Sequence, residues 1–267
     1  MIFTKLLDCT LRDGGYYNSW DFPPELVSKY LKAMAELPVQ YFEFGFRNLP
    51  GSSGKFLGGC AFSTDQYISS FNIPAKLKVA VMVNGADLIK HSGGVPDAVK
   101  LLFKSADQSP VDLVRIACHV HQVEEAMPAI NRLKELGYNT TVNLMQIAGL
   151  SNEDVEDLSA ITSKYPIDVL YFADSLGSME PDEVSDTVNA LRKHWSGELG
   201  FHPHNNMELA LLNTVRAMDE GVTWVDGSVL GMGRGPGNAR TEYLAVEFES
   251  RFSIGMNHTP LLELINK

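Results

Sequence analysis

The sequence has few cysteines and no long apolar run, and both scarcities narrow the class of protein. Only three cysteines, Cys9, Cys60 and Cys118, occur in 267 residues, and no two of them form a Cys-x-x-Cys pair. The set is too small and too scattered for a disulfide framework, so a reducing, cytoplasmic location is expected. No apolar stretch approaches the roughly 20 residues that a membrane helix requires. The opening residues become charged too soon for a signal peptide, so none is expected.

Basic residues are also in short supply. The chain has 22 Lys and Arg against 33 Asp and Glu, a formal net charge of -11. This balance argues against a nucleic acid or an anionic membrane as a partner, although it allows a local basic pocket for a small anion. The hydrophobic fraction of 45% is sufficient for a sizeable core.

Short apolar runs alternate with helix-like segments along the whole chain. Continuous apolar runs are typical of strands that are buried on both faces of a parallel sheet. The predicted strands cover residues 6–10, 41–45, 78–83, 113–117, 140–146, 169–173, 199–204 and 224–228. Eight strand–helix units in about 250 residues predict an α/β protein, a (β/α)8 TIM barrel with residues 1–267 as a single domain. The competing doubly wound sheet in its dinucleotide-binding form lacks support, since no Gly-x-Gly-x-x-Gly follows the first strand.

Turn and helix signals complete this outline. Gly14 and Gly15 predict a loop after the first strand, and a long loop is predicted over residues 47–62. Residues 123–136 predict one amphipathic helix closed by Gly137. A further helix is predicted to begin near Met207, after the seventh strand.

Two histidines at the end of the seventh strand are the first candidate for chemistry. Alternate residues of a strand point to the same side, so His202 and His204 can direct two imidazoles at one point. An isolated His-x-His is more simply a pair of polar strand-end residues. In a barrel, however, the carboxyl ends of all strands meet at one face, where Asp13 and Asn238 can join the pair. Two nitrogens with oxygen ligands and room for a bidentate substrate suit Mn²⁺ or Mg²⁺ better than Zn²⁺.

Other strand ends supply candidate catalytic and substrate-binding residues. Arg12 is a fixed cation beside Asp13 and suits the stabilisation of an enolate. Glu43 lies in an apolar strand, where an unpaired carboxylate is costly, so a functional or network role is favoured. His119 and His121 form a second His-x-His, for which a substrate-facing and a structural role are both open. The candidate substrate contacts are Arg47, Asn143, Asp174 and Arg234.

Several dispersed motifs together resemble those of the DRE-TIM metallolyases. They are DCTLRDG at residues 8–14, DSLGSM at 174–179, FHPHNN at 201–206 and GMGRGPGN at 231–238. They follow the family's order across about the whole chain, and the second-strand glutamate of the family falls at Glu43.

The resemblance implies a function and a set of site residues. Metal ligation is implied for Asp13, His202, His204 and Asn238, and enolate stabilisation for Arg12. The motifs are closest to those of 4-hydroxy-2-oxovalerate aldolases. This implies a divalent-metal-dependent aldolase or lyase that cleaves or forms a C–C bond of a 2-oxo acid through a metal-bound enolate.

The sequence departs from these relatives in ways that leave alternatives open. The aldolases carry a base histidine just after the first-strand glycine, whereas this chain has Tyr16 and Tyr17. Either one of these tyrosines, His119 or His121 is therefore expected to act as the base, or the substrate differs from that of the aldolases. A Claisen-type enzyme that condenses acyl-CoA with a 2-oxo acid is one alternative, and a non-catalytic barrel that binds a metal and a metabolite is another. A homodimer also stays open.

Overall fold

The computed structural model describes residues 3–51 and 56–266, and within them the strands form a closed parallel barrel. Each strand pairs with the next in the order of the sequence, and β8 pairs with β1 to close the barrel. The predicted (β/α)8 barrel is thereby confirmed. The strands are β1 (Lys5–Asp8), β2 (Val39–Phe46), β3 (Lys78–Asn84), β4 (Leu113–His119), β5 (Asn139–Met145), β6 (Val169–Asp174), β7 (Glu198–Pro203) and β8 (Trp224–Gly227).

Helical segments follow every strand. In the described part of the chain, none of them is long and apolar enough to cross a membrane. The α-helices are α1 (Thr10–Asp13), α2 (Gly15–Asn18), α3 (Pro24–Glu36), α4 (Gly59–Phe62), α5 (Asp65–Ile68), α6 (Gly85–Ile89), α7 (Val95–Leu102), α8 (Val123–Ala126), α9 (Pro128–Glu135), α10 (Asn152–Thr162), α11 (Pro181–Leu191), α12 (Ala210–Asp219), α13 (Thr241–Phe252) and α14 (Thr259–Ile265). Short 3₁₀ turns lie at Ala106–Gln108, Val120–Gln122 and Val229–Gly231.

Alternation along the strands produces two layers of buried residues. In β4, the side chains of Val114, Ile116 and Cys118 belong to the layer between strands and helices. Leu113 belongs instead to a smaller cluster inside the barrel, and Arg115, two residues further on, is also fully buried. The interior cluster consists of Leu7, Cys9, Tyr41, Ala80, Leu113, Val169, Tyr171 and Trp224. This packing closes the barrel below its carboxyl end, as expected for a TIM barrel.

Several local expectations from the sequence are corrected. The segment around Gly14 and Gly15 is not a loop but continues as the helical turns α1 and α2. The single helix expected over residues 123–136 is two helices, because Pro128 lacks an N–H and occupies the first turn of α9. Helix α12 begins at Ala210 rather than near Met207. The long loop after β2 ends in α4, and its residues 52–55 lie outside the described residues.

Strand β2 contains an irregularity that changes the direction of its last side chains. Its register against β3 shifts between Glu43 and Phe46. Gly45 lies in this shift, and a Cβ there would sit 1.9 Å from the carbonyl oxygen of Cys60. After the shift Phe46 lines the cleft at the barrel mouth. The guanidinium of Arg47 instead donates to Ser63 O at 2.7 Å.

The loop between β8 and α13 folds back onto the end of β7. His204 and Asn238 form an antiparallel bridge, and Asn205 N donates to Gly237 O at 2.9 Å. Gly237 has φ of +89°, and a Cβ there would lie 1.8 Å from Gly231 O, so the fold of this loop requires glycine. This fold brings the Asn238 side chain to the histidines.

Candidate active site

One buried carboxylate is the meeting point of the candidate metal ligands. Asp13 in α1 is 3% exposed. Its Oδ2 accepts a hydrogen bond from Asn238 Nδ2 at 2.6 Å and lies 3.6 Å from His202 Nε2. Its Oδ1 accepts from Arg12 Nη1. The ends of β1, β7 and β8 therefore bring an acid, an imidazole and an amide to the same point.

The orientation of His202 is fixed by a second carboxylate. His202 Nδ1 lies 2.8 Å from Asp226 Oδ2 at the end of β8. Because an ionised carboxylate can only accept, Nδ1 carries the hydrogen, and the lone pair of Nε2 faces Asp13. A carboxylate behind a histidine in this way is a common support for a metal ligand.

The second imidazole of the motif, His204, lies at right angles to the first, with ring centroids 5.3 Å apart. Burial is the largest cause that lowers the pKa of His204, to about 4. The ring is therefore neutral near pH 7, which is the form that can donate a lone pair to a cation.

Asn238 provides the test of whether these residues suit a metal. Its Nδ2 donates to Asp13 and, at 3.2 Å, to Met232 O. Its Oδ1 is buried and has no hydrogen-bond partner among the described residues. A buried carbonyl oxygen without a partner is costly unless something else occupies its lone pairs. Turning the amide over would direct Oδ1 instead of Nδ2 at Asp13. A divalent cation held with Asp13, His202 and His204 would then occupy that oxygen, so the donor set fits the expected metal.

Cys9 also lies beside Asp13 and His202, close enough for all three to hold one ion. Burial, together with the charge of Asp13, raises the pKa of the Cys9 thiol well above its usual value. The protonated thiol points to Asp13 Oδ2 at 3.3 Å and Gly227 O at 3.1 Å. A thiol that keeps its proton is a poor metal ligand, so Cys9 fits a packing role here better than ligation.

A network of buried charges supports this site from below. Arg12 Nε donates to Glu43 Oε2 at 2.6 Å, and Arg115 Nη1 lies 3.4 Å from the same oxygen. Arg115 Nη2 donates at 2.6 Å to Asp226 Oδ2, the oxygen that holds His202. These contacts connect Arg12, the cation beside the candidate metal site, to Asp226, the carboxylate that orients the candidate ligand His202.

The network has an excess of negative charge. Three carboxylates, those of Asp13, Glu43 and Asp226, face the two guanidinium groups of Arg12 and Arg115, so one negative charge is left over. Burial is the largest single effect on the pKa of Asp13 and raises it, but the lowering contributions of Arg12, the two histidines and Cys9 together outweigh burial, so the net shift is downward. Burial lowers the pKa of Arg12, and Asp13 and Glu43 then raise it well above its usual value. Asp13 and Arg12 are therefore both charged at neutral pH, and a cation is the natural complement of the surplus carboxylate.

A cleft of about 490 Å³ opens above this network. Arg234 covers one side of it, with its guanidinium 5.0 Å from the centre of the Tyr16 ring. The cleft is lined by Arg12, Tyr16, Phe46, Met82, Asn84, Ala86, Ala117, His119, Met145, Gln146, Ser175, Leu176, His204, Asn206, Arg234, Gly235 and Pro236.

Some residues predicted for the site lie elsewhere. Arg47 pairs with Asp65 at 2.7 Å and lines a separate cleft, because the register shift in β2 turns it away from Glu43. The carboxylate of Asp174 accepts from the backbone N–H of Ser178 and Met179, so it stabilises the loop after β6.

Asn143 and Tyr17 also lie outside the lining of this cleft. Asn143 is buried in β5 and accepts from Thr141 Oγ1 at 2.9 Å. Tyr17 donates its hydroxyl to Gly233 O, which attaches α2 to the loop after β8.

Sequence reasoning assigned no role to Arg115 or to Asp226. The signal for Arg115 was present: a lone charge within the apolar run of β4, matching the lone charge of Glu43 in β2. A buried carboxylate requires a partner, and the second charged residue inside a strand was the place to look for it.

Comparison with known proteins places this chain in a family. The HMGL-like family model matches residues 97–266. The 4-hydroxy-2-oxovalerate aldolase of Geobacillus thermodenitrificans is 32% identical over 240 residues, which cover 90% of this chain and 67% of the relative. The enzyme of the same name from Bacillus cereus is 33% identical over 251 residues, covering 90% of this chain and 68% of the relative.

Solved structures agree with this placement. The N-terminal domain of a candidate aldolase from Bacteroides vulgatus superposes with a TM-score of 0.83 at 30% identity, covering 98% of this chain and 85% of that one. The HMG-CoA lyase of Bacillus subtilis has a TM-score of 0.77 at 17% identity, covering 99% and 92% of the two chains, and shares the fold.

Barrel, site and relatives together define a metal-dependent carbon–carbon lyase. The chain belongs to the HMGL-like family. The resemblance drawn from the motifs is confirmed.

Proposed function

We propose that this protein is an aldolase that cleaves a 4-hydroxy-2-oxo acid into a shorter 2-oxo acid, such as pyruvate, and an aldehyde. The observation that carries the proposal is the contact of the buried Asp13 carboxylate with Arg12, His202 and Asn238 at the carboxyl end of the barrel. The relatives named 4-hydroxy-2-oxovalerate aldolase support the substrate class. Residues 1–267 would act as one catalytic domain on this small molecule, in the cytoplasm.

The metal of this proposal is Mn²⁺ or Mg²⁺, held by Asp13, His202, His204 and Asn238. Carboxylate and amide oxygens favour these ions, and a protonated Cys9 disfavours a thiolate-bound Zn²⁺. When bound, the ion supplies a Lewis acid for the substrate carbonyl. The excess negative charge of the network beneath supports its binding.

Arg12 has the role of stabilising negative charge that develops on the substrate oxygen. Its guanidinium reaches the cleft while Nε is bound to Glu43 and Nη1 to Asp13. Both contacts hold the cation in place before the substrate arrives, so little reorganisation accompanies the reaction. Glu43 orients Arg12 and does not line the cleft.

The test is a screen of 4-hydroxy-2-oxo acids for pyruvate release with Mn²⁺ added and then removed by a chelator. His202→Ala should abolish Mn²⁺ binding and turnover, whereas the control variant His194→Ala, at an exposed position, should keep both. Full activity without metal would refute the proposal. Consumption of acetyl-CoA with a 2-oxo acid, in the absence of cleavage, would support the Claisen-type alternative instead.

A further inference from the structure

The proton acceptor of the proposed reaction is the open question at this site. Aldolases of the resembling group use a histidine after β1, and this chain has Tyr16 there. Among the residues that line the cleft, Tyr16, His119 and His204 have side chains of the types that serve as general acids or bases. His204 is a ligand in the proposed metal site, which leaves Tyr16 and His119.

The surroundings of Tyr16 favour the protonated form of its phenol. Burial raises the pKa of its phenol, opposed by the charges of Arg234 and Arg12. The net shift is upward, so the hydroxyl remains protonated at neutral pH and can donate a hydrogen bond. The ring is packed edge-on against Trp20, with centroids 4.9 Å apart, and under the Arg234 guanidinium.

His119, in contrast to Tyr16, is placed to accept a proton. It ends β4 and lines the cleft. Its Nδ1 lies 3.1 Å from Gln146 Oε1. Since an amide oxygen only accepts, the tautomer that makes this contact carries its hydrogen on Nδ1 and has the free lone pair on Nε2. The His119 side chain also takes part in a capping box with the backbone N–H of Gln122. The backbone N–H of His119 donates to Gln122 Oε1 at 3.3 Å, which fixes the end of the strand.

Gln146 is held in an unusual conformation to make this contact. It follows β5 with φ of +59°, a region that residues other than glycine seldom adopt. Its backbone N–H donates to Ser175 Oγ, after β6, at 3.0 Å. Strained backbone that is held by its surroundings is concentrated at functional sites. The ends of β4, β5 and β6 thus cooperate to orient one imidazole.

We propose that His119 is the catalytic base of this enzyme and that Gln146 is the positioning residue that sets its tautomer. The assignment rests on the proposed aldolase function. His119 Nε2 takes the proton of the C4 hydroxyl, the C3–C4 bond breaks and C4 becomes the aldehyde carbonyl. The bonding pair forms a C2–C3 double bond, and the oxo group becomes an enolate. The His119 imidazolium then returns its proton to C3, which completes the 2-oxo acid.

Neighbouring charges bear on the pH dependence of this step. The cleft also contains Arg12, Tyr16, His204 and Arg234. His121 stacks on His119 with ring centroids 5.7 Å apart and an angle of 12°. Gln146 and Ser175, which hold the base, are neutral.

The experiment uses the reverse of the last step, which needs no knowledge of the aldehyde. Full-length protein with Mn²⁺ and pyruvate is incubated in D₂O, and deuterium at C3 of pyruvate is followed by mass spectrometry. His119→Gln should lower the exchange rate by roughly 100-fold or more, the usual contribution of a general base, while Mn²⁺ binding is unchanged. His194→Gln is the control, because His194 is an exposed histidine outside the lining of the cleft, and it should exchange at the wild-type rate.

The pH profile separates a base from a structural residue. The rate of deuterium exchange by the wild type should rise with pH as the base loses its proton. This rising limb of the pH profile should be absent in His119→Gln. Gln146→Glu places a carboxylate beside the imidazole of His119 and favours the imidazolium. The rising limb should therefore move to higher pH by about one unit.

Exchange by His119→Gln at the wild-type rate with the limb intact would overturn the assignment. Loss of the limb in Tyr16→Phe alone would do the same and make Tyr16 the base. A wild type that binds Mn²⁺ but neither exchanges pyruvate nor cleaves any 4-hydroxy-2-oxo acid would refute the proposed function itself, and the assignment with it.

Discussion

Replacing Asp226 by Asn tests whether the buried network supports the metal site. Asp226 does not line the cleft, and its Oδ2 serves both His202 Nδ1 and Arg115 Nη2. The substitution keeps the shape and removes the charge. Burial raises the pKa of Asp226, but Arg115 and His202 outweigh this and lower it overall, so the wild-type group is ionised at neutral pH.

Both orientations of the new amide are unfavourable. With its oxygen toward His202 and Arg115, the amide N–H₂ takes the place of Oδ1, which is buried without a partner among the described residues. With the amide nitrogen toward His202 and Arg115, its N–H groups face the donors His202 Nδ1 and Arg115 Nη2, and neither donor has an acceptor. Loss of such a support behind a metal-binding histidine typically weakens metal affinity 10- to 100-fold, about 1.4–2.8 kcal/mol. Arg115 keeps Glu43 at 3.4 Å, so the free energy of unfolding should fall by about 3 kcal/mol, the lower end for a broken buried pair.

The assay is calorimetric titration of metal-free protein with Mn²⁺, with urea unfolding alongside. Asp174→Asn is the matched control, because Asp174 is also a fully buried acid at a strand end, but within the described part of the chain its carboxylate accepts only from backbone N–H groups after β6. It should lose stability and keep its Mn²⁺ affinity. A folded Asp226→Asn variant with wild-type affinity, or equal weakening by the control, would refute the reasoning.

Two further substitutions test the limits of the site. Cys9→Ser should leave Mn²⁺ affinity unchanged in the same titration, because the Cys9 thiol keeps its proton and points to Asp13 and Gly227 O; a tenfold loss would instead identify Cys9 as a ligand. Arg47→Gln should lower the free energy of unfolding by about 1–3 kcal/mol and leave the KM for the 2-oxo acid unchanged, because its guanidinium holds Ser63 O and Asp65 outside the cleft. A raised KM in steady-state kinetics would show that Arg47 contacts substrate after all.

The barrel could be predicted because both faces of its strands are buried. A strand such as β6, buried along its whole length, appears in the sequence as an uninterrupted apolar run. Pro128 shows where this approach falls short. Its position in the amphipathic stretch 123–136 satisfies the helical pattern, yet its missing N–H begins a new helix.

The meeting of Asp13, His202 and Asn238 could also be predicted, because the fold itself brings strand ends together. Arg47 could not be placed in the same way. Strict alternation puts it on the side of Glu43, and only the register shift near Gly45 reverses it. The shift depends on a backbone approach to Cys60, which is distant in sequence and leaves no local pattern.

The buried side of the cleft is held by more contacts than its exposed mouth. In the proposed reaction, the buried side bears on the type of reaction and the mouth bears on the range of substrates. Arg12 and Asp13 are nearly fully buried and bound to charged partners on several sides. At the mouth, Tyr16 is 38% exposed and Leu176 is 53% exposed. In the proposed reaction the enolate forms against the buried side, and the aldehyde leaves past the open side. In this proposal the rigid charges below select cleavage of the C3–C4 bond, and the exposed side chains above select which aldehyde is released.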